Sequence, residues 1–344
     1  MGMKQGIKSK SCLAAVFAAL CMVLFASGAQ ASTITVGSVL PVEFTSTPFG
    51  QVKTMFNTAI PERGANLTSP VSGAIVRWRL QGAKGGPFYL RVLHPNGSGA
   101  YSSAGTSGGV TPSGTGVQVF TTNIPIKAGD QIGIDPTNPT DEIGIAPVPN
   151  ASFGFIFPPP PDGATVAPNG TGSGEIELSA EVQPTPALTG LSVSSGSIAG
   201  GTAVTITGTD LGGASAVKFG TEPAASYTVD SDTQITAVAP PSVSPGTYSV
   251  SVTTVAGTSA NNGRLSSYTY TACVVPRLKR YGLNGAKSAL RRAGCKPGKV
   301  AKVGGATVKT GKVLRQSPKP GAIQEPGSKV GFTLGVEKKP KQKK

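Results

Sequence analysis

Apolar residues recur along most of the chain in short stretches separated by Gly, Pro, Asn and Asp. Ile75-Val76-Arg77-Trp78-Arg79-Leu80 and Glu175-Ile176-Glu177-Leu178-Ser179-Ala180 alternate apolar with polar positions, the period of a half-buried strand. Similar stretches lie at Ala74–Leu80, Phe88–Leu93, Val117–Phe120, Gln131–Ile134, Ser152–Phe157 and Glu175–Val182. Asn96-Gly97, Gly108-Gly109, Ala128-Gly129-Asp130 and the run Pro158–Pro161 break them. The pattern predicts an antiparallel β-sandwich of jelly-roll type over residues 32–183. Past the linker Pro184-Thr185-Pro186, Val204, Ile206, Val250 and Val252 each alternate with Thr or Ser, predicting a second β-sandwich over 184–271.

Helical spacing is convincing in one place. Leu283, Ala286, Ala289, Leu290 and Ala293 share one helical face. Asn284 is expected as N-cap, Arg291 and Arg292 fall in the last turn, and Gly294 suits the C′ position. Strand-like stretches at Lys312–Gln316 and Lys329–Leu334 follow, so residues 272–336 read as a small α+β domain. The fold class is therefore mainly β. The last eight residues, 337–344, have almost no apolar content and read as a disordered basic tail.

The first 31 residues read as an export signal. Lys4, Lys8 and Lys10 precede the apolar run Cys12–Ala26, and Ser27-Gly28-Ala29-Gln30-Ala31 supplies a small-x-small site. The run falls short of the roughly 20 apolar residues that cross a bilayer. Cleavage is expected between Ala31 and Ser32, leaving no transmembrane anchor. Export leaves Cys273 and Cys295, and an even pair in an oxidising compartment points to a disulfide, with two free buried thiols as the alternative.

Charge sharpens the division. The chain holds 31 Lys and Arg against 16 Asp and Glu. From Cys273 onward 19 are basic and only Glu325 and Glu337 acidic, whereas residues 32–272 hold nine basic and 14 acidic side chains. An acidic body thus carries a strongly cationic end. The candidate anion-binding set is Lys287, Arg291, Arg292, Lys296 and Lys299 on the helix end and following loop, with Lys319 and Lys329 on the strand hairpin.

The first segment offers little chemistry. His94, the only histidine, precedes Pro95 at a strand end and reads as a loop residue. Asp135, Asn138, Asp141 and Glu142 have oxygen ligands at a spacing that calcium can use, but lack the EF-hand order; a solvated acidic loop is the simpler reading. Trp78, Phe88 and Tyr89 suggest a sugar-stacking platform, although Trp78 between Arg77 and Arg79 reads more simply as core. No catalytic, metal or cofactor motif is present.

Two resemblances follow from the later segments. Gly200-Gly201-Thr202 before a strand, Gly208 with Asp210, and Lys218-Phe219-Gly220 together resemble the immunoglobulin-like TIG (IPT) domain over 184–271. Leu211 stands where that family usually has an aromatic. Its basic residues are few, Lys218 and Arg264, which favours a spacer over a nucleic-acid contact. Residues 272–336 resemble a PASTA domain through Val275-Pro276, Ala286, Leu290, Gly294, Gln316-Ser317-Pro318-Lys319-Pro320-Gly321 and Gly327-Ser328-Lys329-Val330; Arg280-Tyr281 departs from that family's usual Gly-containing turn. That resemblance implies contact with peptidoglycan at a bacterial surface.

These readings point to a secreted or wall-associated, non-enzymatic envelope protein. Its PASTA-like end and tail attach to peptidoglycan or an anionic wall polymer, and its first sandwich is free to meet a surface glycan or protein. No cofactor and no specific nucleic acid is expected. The alternative is a glycan-active hydrolase or carbohydrate-binding protein acting through the first sandwich. Hydrolysis there would require paired carboxylates or a Ser/His pair, in a segment sparse in acids and holding a lone histidine.

Overall fold

The structure is a computed structural model describing residues 32–40, 42–307 and 309–336. The expected signal segment with Ala31, and the basic tail 337–344, lie outside the described residues. The chain is mainly β, and among the described residues its main hydrophobic cores follow one another in sequence order, one per domain.

In the first domain a four-stranded antiparallel sheet runs in the order Ile34–Gly37, Leu178–Pro184, Gly73–Leu80, Gln118–Ile126. A seven-stranded sheet includes Tyr101–Thr106, Tyr89–Pro95, Gln131–Asp135, Thr54–Ala59, Ser152–Ile156 and Gly170–Ser173 in that order. Pairing of Ile34–Gly37 with Leu178–Pro184 ties the two ends of the domain together. Trp78, Ile75, Leu80, Phe88, Leu90 and Ile134 are fully buried between the sheets. Removal of that much apolar surface from water, at about 25 cal/mol per Å², is the main force assembling the layers. Arg77 and Arg79, alternating with Trp78, converge on Glu181 of the neighbouring strand.

The second domain packs the sheet Ala187–Leu191, Ala203–Thr209, Gln234–Val238, Ser226–Ser231 against one built around Ser267–Thr271, Gly246–Thr254 and Ala216–Phe219. Val204, Ile206, Val250 and Val252 fill the space between them, with Leu211 fully buried in the same core. Ala272 alone separates the last strand of this domain from Cys273–Val274, the first of the next.

In the third domain helix α1 (Leu283–Arg292) lies on a three-stranded sheet. Gly282 is the N-cap, and Asn284 lies inside the first turn, one correction to the sequence reading. The C-terminus closes as a Schellman motif. Gly294 adopts φ +71, its N–H donates to the Arg291 carbonyl at 3.2 Å, and Cys295 N–H donates to the Leu290 carbonyl at 2.9 Å. That turn aims Cys295 back at Cys273, and the two form a disulfide with Cα atoms 4.7 Å apart. A side chain at Gly294 would also meet the Ala272 carbonyl at 2.7 Å, so the position needs glycine twice over.

Candidate functional site

Lys329–Gly335 is the central strand of the third-domain sheet, parallel to Lys296–Lys302 and antiparallel to Lys312–Ser317. Its alternate residues Val330, Phe332 and Leu334 are buried together with Ala286, Ala289 and Leu290 of α1. By the period of two, Lys329, Gly331 and Thr333 turn to the opposite, uncovered face. The register sets Lys296 beside Lys329, Ser317 beside Gly331, and Ala301 and Arg315 on either side of Thr333.

A shallow depression of about 370 Å³ lies on this sheet, its lining including Lys299, Ala301, Arg315, Ser317, Gly331 and Thr333. Gly331 contributes only backbone to this lining, which combines the hydroxyl residues Ser317 and Thr333 with the cations Lys299 and Arg315. Lys296 and Lys329 continue the positive charge along the same face. Glu325, the one acid among the described residues of this domain, accepts a hydrogen bond at 2.6 Å from Ser197 Oγ of the second domain. The face is therefore suited to an extended ligand bearing carboxylate or phosphate groups and hydroxyls.

The seven expected cations divide into separate groups. Lys296, Lys299 and Lys329 belong to the open sheet face. Lys287 and Arg291 lie one turn apart on α1, on the covered side of the sheet, and Arg292 donates to Ser288 Oγ at 3.2 Å. Lys319 is in the turn after Ser317. The segment following the helix, expected as a loop, is the edge strand Lys296–Lys302. Arg315, Ser317 and Thr333 are additions that charge clustering alone does not reveal; the alternation of Lys329-Val330-Gly331-Phe332-Thr333-Leu334 is the signal that finds the face.

In the first domain the acids of the expected calcium loop are engaged by their own chain. Asp135 Oδ2 accepts from Arg91 Nε at 2.8 Å and Nη2 at 2.5 Å, and its Oδ1 accepts from Thr54 Oγ1 at 2.6 Å. Asp141 accepts from the backbone N–H groups of Gly86, Thr137 and Asn138, and Glu142 pairs with Lys84. No group of His, Cys, Asp or Glu suited to a metal ion occurs among the described residues. His94 Nδ1 lies 2.6 Å from Asp130 Oδ1 beside the turn ending in Asp130. Trp78 and Phe88 are fully buried, which removes the stacking platform. Among the described residues no helix is long and apolar enough to cross a membrane.

The IPT/TIG domain model matches residues 186–272, and the PASTA domain model matches residues 274–336. No curated protein matches the chain. Among solved structures the chain is similar to the Plexin A4 full extracellular region at 16% identity and a TM-score of 0.24. That match covers 64% of this chain, which spans 18% of the plexin chain.

Proposed function

From a chain that carries an IPT/TIG domain followed by a PASTA domain, we propose an exported, non-enzymatic envelope protein held on the cell wall by its C-terminal end. PASTA domains generally bind peptidoglycan or its fragments, which supports this kind of partner. The observation that carries the reading is the open sheet face, where Lys296, Lys299, Arg315 and Lys329 gather around a hydroxyl-lined depression. Peptidoglycan carboxylates and anionic wall polymers have the charge and hydroxyl pattern to fill it.

The TIG domain, separated from the PASTA domain by Ala272 and tied to it by the Ser197–Glu325 hydrogen bond, acts as a stiff spacer. The first sandwich is displayed outward for a surface glycan or protein. Support for a non-catalytic first domain comes from its carboxylates: Asp135 and Glu181 are neutralised by arginine, and Glu175 and Glu177 are buried. Co-sedimentation with isolated cell walls tests the whole reading. The mature chain should pellet with walls at low salt and be released as ionic strength rises past the range where the Debye length is about 8 Å. A chain ending at Thr271 should stay in the supernatant; pelleting as well as the full mature chain would refute attachment through the PASTA end.

A further inference from the structure

Ser32 lies against the second domain, at the rim of a cleft between the first two domains. Its backbone N–H donates to Asp232 Oδ2 at 3.4 Å, and its hydroxyl donates to Asp210 Oδ1 at 3.0 Å. Thr33, the next residue, lines that cleft of about 470 Å³ with Arg77 and Gln183 from the first domain and Gly212 and Gly213 from the second.

The second domain supplies the two carboxylates from separate turns, Asp210 after the strand Ala203–Thr209 and Asp232 in the hairpin between Ser226–Ser231 and Gln234–Val238. Asp210 follows the strand Ala203–Thr209 with φ +57, a left-handed conformation unusual for a residue other than glycine. Asp232 Oδ1 accepts the Gly212 N–H at 3.0 Å, and the Asp232 carbonyl accepts the Leu211 N–H at 2.8 Å. Neither aspartate has an ion-pair partner among the described residues, and Arg77, the charged residue of the cleft lining, is taken up by Glu181. Two adjacent carboxylates thus receive one neutral amide and one hydroxyl from the first domain, and no cation.

We propose that the missing cation is the α-amino group of Ser32, created when the export signal is removed, and that this cleavage fastens the first domain to the TIG domain. The inference rests on the export reading and adds to it a consequence for the folded protein. Hydrolysis of the Ala31–Ser32 peptide bond consumes one water. Ala31 departs as a carboxylate, and the Ser32 nitrogen becomes an amine that takes up the released proton. An α-amine of ordinary pKa, about 7.7–8.0, is mostly protonated at pH 7. The weak amide hydrogen bond to Asp232 is thereby replaced by a charge-assisted one, with further donors for Asp210.

The test compares three proteins: the mature chain beginning at Ser32, released from a fusion that leaves no extra residue; the same chain with Gly-Ser-Gly added before Ser32; and the Ser32-initiated variant carrying Asp210→Asn and Asp232→Asn. Asparagine keeps the acceptor oxygens and tolerates the left-handed backbone, so the turn survives. Acylation of the α-amine by an activated ester, followed by peptide mass spectrometry across pH, reads its protonation. The expected result is an amine about tenfold less reactive at pH 7 in the mature chain than in the other two, a rise of about one pKa unit. Equal reactivity in all three overturns the fastening. Sequencing the N-terminus of the exported protein tests the cleavage itself. A first residue other than Ser32 overturns the processing step while leaving the contact measured independently.

Discussion

Glu175 and Glu177 flank Ile176, whose backbone is clamped on both sides. Asn57 Oδ1 accepts its N–H at 2.8 Å, and its carbonyl accepts from Asn57 Nδ2 at 3.0 Å and Ser38 Oγ at 2.6 Å. With the backbone fixed, neither carboxyl can readily swing to water, and neither is ion-paired among the described residues. Burial pushes Glu175 well above the usual carboxylate range, and the neighbouring Glu62 carboxyl adds to the rise. Burial, then the charges of Glu175 and Glu62, push Glu177 up to about 8. Both are thus protonated in the folded protein at neutral pH, whereas in the unfolded chain they ionise near an ordinary glutamate pKa of about 4.3. The folded state holds more protons between those values, so stability falls as pH rises. Their contribution is complete below about pH 4.3 and is lost as pH rises through about 8. Thermal unfolding followed from pH 5 to 9 should show the first domain losing stability over this window. The Glu175→Gln, Glu177→Gln variant should lose most of that slope and melt several degrees higher at pH 9, at roughly 2–4 °C per kcal/mol for a domain of this size. An unchanged slope would mean that other groups carry the alkaline sensitivity.

Between residues and domains, the disulfide shows how one local turn organises an element. It joins Cys273, on the entry strand, to Cys295, just past the end of α1, across a sequence separation of 22. On the chain-entropy model a loop of that size contributes about 3 kcal/mol by restricting the unfolded state. Reducing the bond, or the Cys273→Ala, Cys295→Ala pair, should lower the melting temperature of the PASTA domain by more than about 10 °C, at roughly 4–8 °C per kcal/mol for a small domain. Differential scanning calorimetry with and without reductant checks this, and the TIG transition should stay in place. Well below the lowered transition, wall binding should persist, because the bond shapes the fold and lies outside the open sheet face. The helix and its Gly294 stop were legible because a periodic apolar face and a C′ glycine are local signals. Other elements were not. Gly170–Ser173 has no apolar alternation; it pairs with Ser152–Ile156, whose Phe155 and Phe153 rings occupy the space above Gly170 and Gly172, so the apolar half of the pair belongs to the partner strand. Lys296–Lys302 likewise lacks a clean apolar alternation: its ladder is irregular between Pro297 and Val300, and Gly298 sits where a Cβ would come within 3.0 Å of the Val330 carbonyl carbon. Both strands are defined by what lies across from them, which no local window contains.

At the scale of the molecule, charge and geometry can be separated, and the division of cations by the sheet makes that possible. The sequence locates the excess positive charge in the last domain and tail but cannot say which face presents it, because helix and sheet cations are interleaved along the chain. Folding puts Lys287 and Arg291 on the helix side, and Lys299 and Arg315 around the open depression. If wall attachment were governed by total charge alone, reversing either pair would reduce the net charge by the same four units and weaken binding equally. If the depression is the contact, reversal of Lys299 and Arg315 introduces carboxylates directly against an anionic ligand. Reversal of Lys287 and Arg291 acts only through the screened field from the helix side of the sheet, with a Debye length of about 8 Å at physiological salt. Lys299→Glu with Arg315→Glu should therefore cost more than about tenfold in affinity for isolated walls at 0.15 M salt, or about 1.4 kcal/mol. Lys287→Glu with Arg291→Glu should cost less than about threefold, and as salt is raised both losses should shrink, that of the helix pair disappearing first, since screening removes the long-range part first. Equal losses that vanish together in high salt would identify the cationic end as a diffuse tether without a defined site.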